Sequence, residues 1–223
     1  MARRPLPFPP LLVITDRRRA RRPLEEVAAA LFEGGCRWLS LREKDLPAEE
    51  RLLLLRRLVT LGRRWDATVG VHEDVAAARA AGAGAVHLPD RAMTGAGRTR
   101  FDEAMLVGVS AHGAMRLAAA AAQGVDYATI SPVFASASKP GYGPELGLAT
   151  VMALSEGAPL PVIALGGIDA TNVGSVIAAG ASGAAVMGAA MAADDPGATI
   201  AILIARLAAA LAARDPARHS ARR

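Results

Sequence analysis

The chain has a single cysteine, Cys36, so no disulfide can close within it. A lone thiol fits a reducing compartment, and a cytoplasmic location is the expectation. Aromatic residues are scarce, 4% against 52% hydrophobic residues in all, so the core must be built mainly from Ala, Val, Leu and Ile. Every apolar run is interrupted by glycine, proline or charge, and no membrane span is expected. The N-terminus has arginines followed by prolines and lacks the apolar centre of a signal peptide. Aromatics are also missing from the arginine clusters, which are Arg17-Arg18-Arg19, Arg21-Arg22 and the group Arg214, Arg218, Arg222 and Arg223. Despite a net charge of +5, that pattern argues for solvated arginine with some pull on anionic substrates, not for nucleic acid.

What is present is alternation. Apolar runs at 11–15, 37–41, 67–71, 85–88, 105–109, 127–130, 161–165 and 183–187 read as strands. Helical spacing fills the intervals at 23–32, 47–61, 75–81, 114–123, 148–155, 171–179 and 188–213. Glycines at 34, 82, 124 and 180 sit where helix C-caps belong. Eight strands alternating with helices imply parallel pairing and right-handed crossovers. The predicted fold class is α/β, a single (β/α)8 TIM barrel over residues 1–213, with a basic, disordered tail at 214–223. A doubly wound sheet is the minor alternative, because it usually has fewer strands.

In such a barrel the site lies beyond the C-terminal ends of the strands. Val162 to Asp169 reads as a strand, a Gly166-Gly167 turn and a helix start, a combination suited to phosphate. Gly188 holds the matching place after strand eight. Arg42 and Lys44 alternate after strand two and are expected to face the mouth together, where two cations suit a phosphate or pyrophosphate. Ser136, Ser138 and Lys139 form a polar cluster on a long loop that could close over phosphate oxygens. Carboxylates at Glu73 and Asp90, after strands three and four, could hold Mg²⁺. Asp74 could simply cap the next helix. Ser40, His72, His87 and Ser110 complete the strand-end set.

These motifs together resemble the thiamine phosphate synthase family, which includes related thiazole tautomerases. The resemblance rests on Leu41-Arg42-Glu43-Lys44, Gly84 to Leu88, Gly108 to His112, Ser131-Pro132-Val133-Phe134 with Ser138-Lys139, and Ala164 to Ile168. It implies a transferase that couples hydroxymethylpyrimidine pyrophosphate to a thiazole phosphate and releases pyrophosphate. Arg42, Lys44, Ser110 and Lys139 would serve the leaving group. Ser40, His72, His87, Ser136, Ser138, Gly166, Gly167 and Gly188 would bind substrate, and Glu73 and Asp90 would bind Mg²⁺. Ser40 stands where the family has glutamine, His72-Glu73 where it has Asn-Asp, and Ala92 where it has a second metal-binding aspartate. Pro132 follows the synthase pattern, since related tautomerases carry histidine there. A tautomerase-like isomerase, an enzyme on another phosphorylated heterocycle and a non-catalytic phosphate-binding barrel remain as alternatives. The expected partners are small phosphorylated heterocycles. No nucleic acid or membrane is expected, and the question of a homo-oligomer stays open.

Overall fold

In the computed structural model, β1 (Leu11–Ile14), β2 (Trp38–Leu41), β3 (Thr68–His72), β4 (Ala85–Leu88), β5 (Leu106–Ala111), β6 (Tyr127–Ile130), β7 (Val162–Leu165) and β8 (Gly183–Val186) follow the expected alternation. The residues described are 3–92, 101–136 and 144–215. All eight strands pair in parallel and in sequence order, and β8 returns to β1 through Leu12 opposite Ala185, closing the barrel. Around it run α1 (Leu24–Glu33), α2 (Ala48–Gly62), α3 (Val75–Ala81), α4 (Ala114–Ala122), α5 (Gly147–Ser155), α6 (Val173–Ala178), α7 (Gly188–Met191) and α8 (Pro196–Arg214). Ser138, Lys139 and the tail beyond Asp215 lie outside the described residues.

The strands are buried on both faces, which explains why they read as unbroken apolar runs. Residues such as Val13, Leu39, Val71, Val86 and Val107 face the helices. The alternate set, including Leu12, Trp38, Leu106, Tyr127 and Ile163, fills the barrel interior. Two of the few aromatics form that plug: Trp38 and Tyr127 meet edge to face with ring centroids 4.8 Å apart. Gly108 makes room for them. A Cβ there would lie 2.0 Å from Tyr127 Cζ, so no other residue fits without moving the ring.

Three expectations need correction. Helix α6 starts at Val173, not directly behind the glycine turn. Asp169 instead caps a short turn by accepting from the Thr171 amide (2.7 Å), and Asn172 donates to the Gly167 carbonyl (2.8 Å). β5 runs to Ala111, so Ser110 is a strand residue facing inward and does not belong to a loop. Finally, α8 is long and apolar enough to span a membrane by length and composition. Its Ile200, Leu203 and Leu207 are fully buried, however, and it packs on α1 and α6 as the closing helix of the barrel. Arg214 belongs to this helix, and its guanidinium donates to the carbonyls of Ile177 and Ala181.

Candidate active site

One residue pair above the aromatic plug, the interior turns polar. Ser40 (β2), His72 (β3), His87 (β4), Ser110 (β5) and Thr129 (β6) each stand two positions beyond an inward-facing residue, as the period of two requires. His72 Nδ1 lies 2.9 Å from Ser40 Oγ. His87 Nδ1 lies 3.1 Å from Tyr127 Oη, and its Nε2 is 3.2 Å from Ser110 Oγ and 3.4 Å from Thr129 Oγ1. Burial pushes the His87 pKa down to about 4, outweighing the pull of Glu73. Burial likewise pushes the Tyr127 hydroxyl well above its ordinary value. Both are therefore uncharged at neutral pH, and the network is satisfied when Tyr127 donates to Nδ1 and the Nε2 proton goes to a hydroxyl. His87 and Tyr127 thus give the floor of the site an uncharged hydrogen-bonded pair.

Above this floor opens a cavity of about 1160 Å³ at the C-terminal end of the barrel. Its β2–β5 side is charged. Arg42 and Lys44 both line it, as expected from their spacing, while Glu43 between them points the other way and is buried. Arg17 satisfies Glu43, donating its backbone N–H (3.0 Å) and a guanidinium N–H (3.2 Å), and also forks onto Asp45. That contact holds the Asp45 carboxyl down at about 2. The Arg17 to Arg19 run is thus not plain solvated arginine: Arg17 staples the β1–α1 loop to the end of β2. Lys44 ion-pairs with Glu73, and Arg91 approaches the other Glu73 oxygen at 3.6 Å. Burial opposes ionisation of Glu73, but the Lys44 contact and the charges of Arg91 and Arg42 prevail and keep its carboxyl below the ordinary value. Glu73 takes a left-handed φ of 66°, a strained backbone for glutamate that aims its carboxylate at these cations. Asp90 pairs with Arg116 of α4 at 3.2 Å. Asp74 caps α3 through the Ala77 amide at 2.8 Å.

Mg²⁺ takes one or two protein carboxylates and fills the rest of its shell with water and substrate phosphate oxygens. Glu73 and Asp90 meet that need in kind, since both line the cavity. Each already has a cationic partner, and Ala92 supplies no side-chain oxygen. Among the described residues no cluster of three His, Cys, Asp or Glu could hold an ion by itself.

The opposite side of the cavity is the corner of Gly166, Gly167 and Gly188. Gly166 (φ 104°) and Gly167 (φ 63°) require glycine twice over. Their backbone is left-handed, and a Cβ would come within 2.8 Å of Pro132 Cα or 2.3 Å of the Ala135 carbonyl. The turn is held against the 132–135 segment by Phe134 N–H donating to the Gly166 carbonyl at 3.1 Å. Ser136 lies at the rim of the same cavity. All the expected site residues that are described therefore line this one cavity or its floor. The sequence reading missed Tyr127, Thr129, Arg91, Arg116 and Arg19. For Tyr127 and Thr129, the alternation along β6 was an available signal.

The model of the family described as thiamine monophosphate synthase matches residues 11–190, nearly the whole barrel. The chain belongs to the thiamine monophosphate synthase family. A Geobacter sulfurreducens protein given the same activity provisionally is 42% identical over 188 residues, covering 83% of this chain and 88% of that protein. The thiamine-phosphate synthase of Roseiflexus castenholzii is 35% identical over 198 residues, covering 86% and 87%. A solved thiamine phosphate pyrophosphorylase from Pyrococcus furiosus superposes with a TM-score of 0.78 at 28% identity, covering 90% of this chain and 96% of that one. These likenesses span the full barrel, so membership of this family of enzymes rests on the site-bearing strands as well as the scaffold.

Proposed function

We propose that the chain is a thiamine-phosphate synthase, joining hydroxymethylpyrimidine pyrophosphate to thiazole phosphate. The observation that carries this reading is the division of one cavity into a cationic side and a glycine corner above a hydrogen-bonded polar floor. In the reaction, the bond from the pyrimidine methylene carbon to the pyrophosphate oxygen breaks, and its electron pair leaves with pyrophosphate. The thiazole nitrogen lone pair then forms the new C–N bond. No proton has to move, so the site needs charge stabilisation and positioning, not an acid–base pair. Arg42, Lys44 and Lys139 would hold the pyrophosphate, helped by Ser110 and Ser138. Gly166, Gly167 and Gly188 would hold the thiazole phosphate through backbone N–H groups. Ser40, His72, His87 and Ser136 would line the rings. Glu73 and Asp90 would hold Mg²⁺, which when bound adds positive charge beside the leaving group.

The uncharged His87–Tyr127 pair supports this reading over ring isomerisation. His87 has both ring nitrogens engaged and is hard to protonate, and Pro132 in the cavity wall cannot carry a proton. A cytoplasmic location is part of the proposal and rests on the single-cysteine barrel and the proposed activity. The test is calorimetric binding of pyrophosphate to the wild-type chain and to Arg42→Ala. A loss of roughly tenfold or more in the variant is expected from one guanidinium–phosphate contact. Equal binding by the two would remove Arg42 from the leaving-group site.

A further inference from the structure

The arginine-rich β1–α1 loop accounts for most of its charges. Arg17 pairs with Glu43 and Asp45, Arg18 with Asp45, and Arg21 with Asp194. Arg19 is different. Its side chain lines the cavity, yet it has no carboxylate partner among the described residues. Its Nε is buried without any hydrogen-bond partner. A side chain added at Gly188 would meet Arg19 Nε at 3.7 Å and an Nη nitrogen at 3.9 Å, so the guanidinium lies directly over the bare glycine after β8. The Arg17–Glu43 staple and the Arg19 N–H to Asp16 carbonyl bond (3.1 Å) fix the loop that delivers it there. A buried donor without a partner costs free energy unless something arrives to accept from it.

We infer that Arg19 is a substrate-binding and specificity residue that donates to the phosphate monoester of the thiazole half-substrate, opposite the backbone of Gly166 and Gly167. This rests on the synthase reading for the identity of the ester. The glycine turns supply directional but weak N–H donors, and Arg19 supplies a full positive charge beside their corner. A Cβ at Gly188 would only touch that guanidinium at ordinary contact distance, so the bare glycine leaves room beside it for the ester. Selection for the phosphorylated thiazole over its free alcohol would then depend on a loop that carries no strand-end motif.

The test measures binding of thiazole phosphate and of the unphosphorylated thiazole alcohol by calorimetry, apart from turnover. The proteins are wild type, Arg19→Gln, Arg19→Lys and the exposed-loop control Arg22→Gln. Arg19→Gln should weaken thiazole phosphate binding about 10- to 100-fold, the range of one charge-assisted contact. Binding of the alcohol should change by less than about twofold, with partial recovery in Arg19→Lys and no effect in Arg22→Gln. Where turnover is measurable, the KM for hydroxymethylpyrimidine pyrophosphate should stay unchanged. Equal losses for ester and alcohol, or a loss confined to the pyrophosphate substrate, would overturn the assignment. So would a wild-type chain that binds the ester no better than the alcohol. Phosphate-selective binding without synthase turnover would refute the proposed reaction and leave the role of Arg19 standing.

Discussion

Replacing Gly108 with alanine should destabilise the barrel from its centre. The new Cβ would lie 2.0 Å from Tyr127 Cζ, 2.3 Å from Cε1 and 2.4 Å from Oη, against an ordinary carbon contact of about 3.5–4.0 Å. The ring would have to move by roughly 1.5–2 Å. It is fully buried, with Trp38 at 4.8 Å and His87 at 5.6 Å between centroids, so it cannot retreat freely. Overpacking of this kind costs about 1–3 kcal/mol. Moving the hydroxyl also breaks its bond to His87 Nδ1 and leaves a buried polar pair unsatisfied, another 1–3 kcal/mol or so. Lower chain entropy in the unfolded alanine variant returns about 0.4–1 kcal/mol. The net expectation is a loss of about 2–5 kcal/mol, read by urea unfolding. Tyr127→Phe alone should cost about 1–2 kcal/mol, because it keeps the ring and loses only the hydrogen bond. Gly108→Ala combined with Tyr127→Leu should cost less than the sum of its parts, since the clash disappears. A Gly108→Ala protein within about 0.5 kcal/mol of wild type would refute the packing account of the plug and of the floor above it.

Three further outcomes follow from the same geometry. Lys44→Ala should change stability by less than about 1 kcal/mol, because its ion pair with Glu73 is partly exposed to solvent, yet it should lower synthase kcat/KM by at least about tenfold. An unchanged rate in a steady-state assay would argue against Lys44 at the leaving group. The depressed pKa of His87 means that the unfolded chain binds its proton more readily than the folded one. Its contribution is therefore fully present above about pH 6.5 and is lost as pH falls towards about 4, a change of roughly 3 kcal/mol. His87→Asn should flatten that part of a urea stability profile, and a parallel profile would contradict the burial argument. Gly167→Ala meets both a left-handed φ and the Ala135 carbonyl at 2.3 Å, so it should weaken thiazole phosphate binding at least about tenfold. Retained binding in calorimetry would separate the glycine turn from the phosphate.

Local signals carried the scaffold. Apolar runs such as Leu11–Ile14 and Val162–Leu165 are strands, and the glycines expected at helix ends include Gly82, Gly124 and Gly180, all with positive φ. The strand-end residues were legible for the same reason: once β2 to β5 were placed, His72, His87 and Ser110 had to fall at the mouth. What the sequence hid depends on distant partners. Three adjacent arginines look alike, and only Glu43, 26 positions from Arg17, makes one of them a staple while the fold aims Arg19 inward. Arg116 reads as an ordinary helix charge until α4 brings it to Asp90. The true start of α6 is masked in the sequence because the Asp169–Thr171 turn mimics a helix entry. The helical stretch read at 188–213 is divided in the structure into α7 and α8, because Asp195 caps and Pro196 opens a new helix there.

In the proposed reaction, one cavity brings two phosphorylated heterocycles together for C–N bond formation. It is tested most directly by incubating the purified chain with hydroxymethylpyrimidine pyrophosphate and thiazole phosphate in Mg²⁺ and measuring thiamine phosphate and pyrophosphate together. Equimolar formation of the two products is expected, dependent on both substrates and reduced at least about tenfold in Arg42→Ala. Binding of both substrates with no thiamine phosphate formed, or product formation indifferent to Arg42, would contradict it.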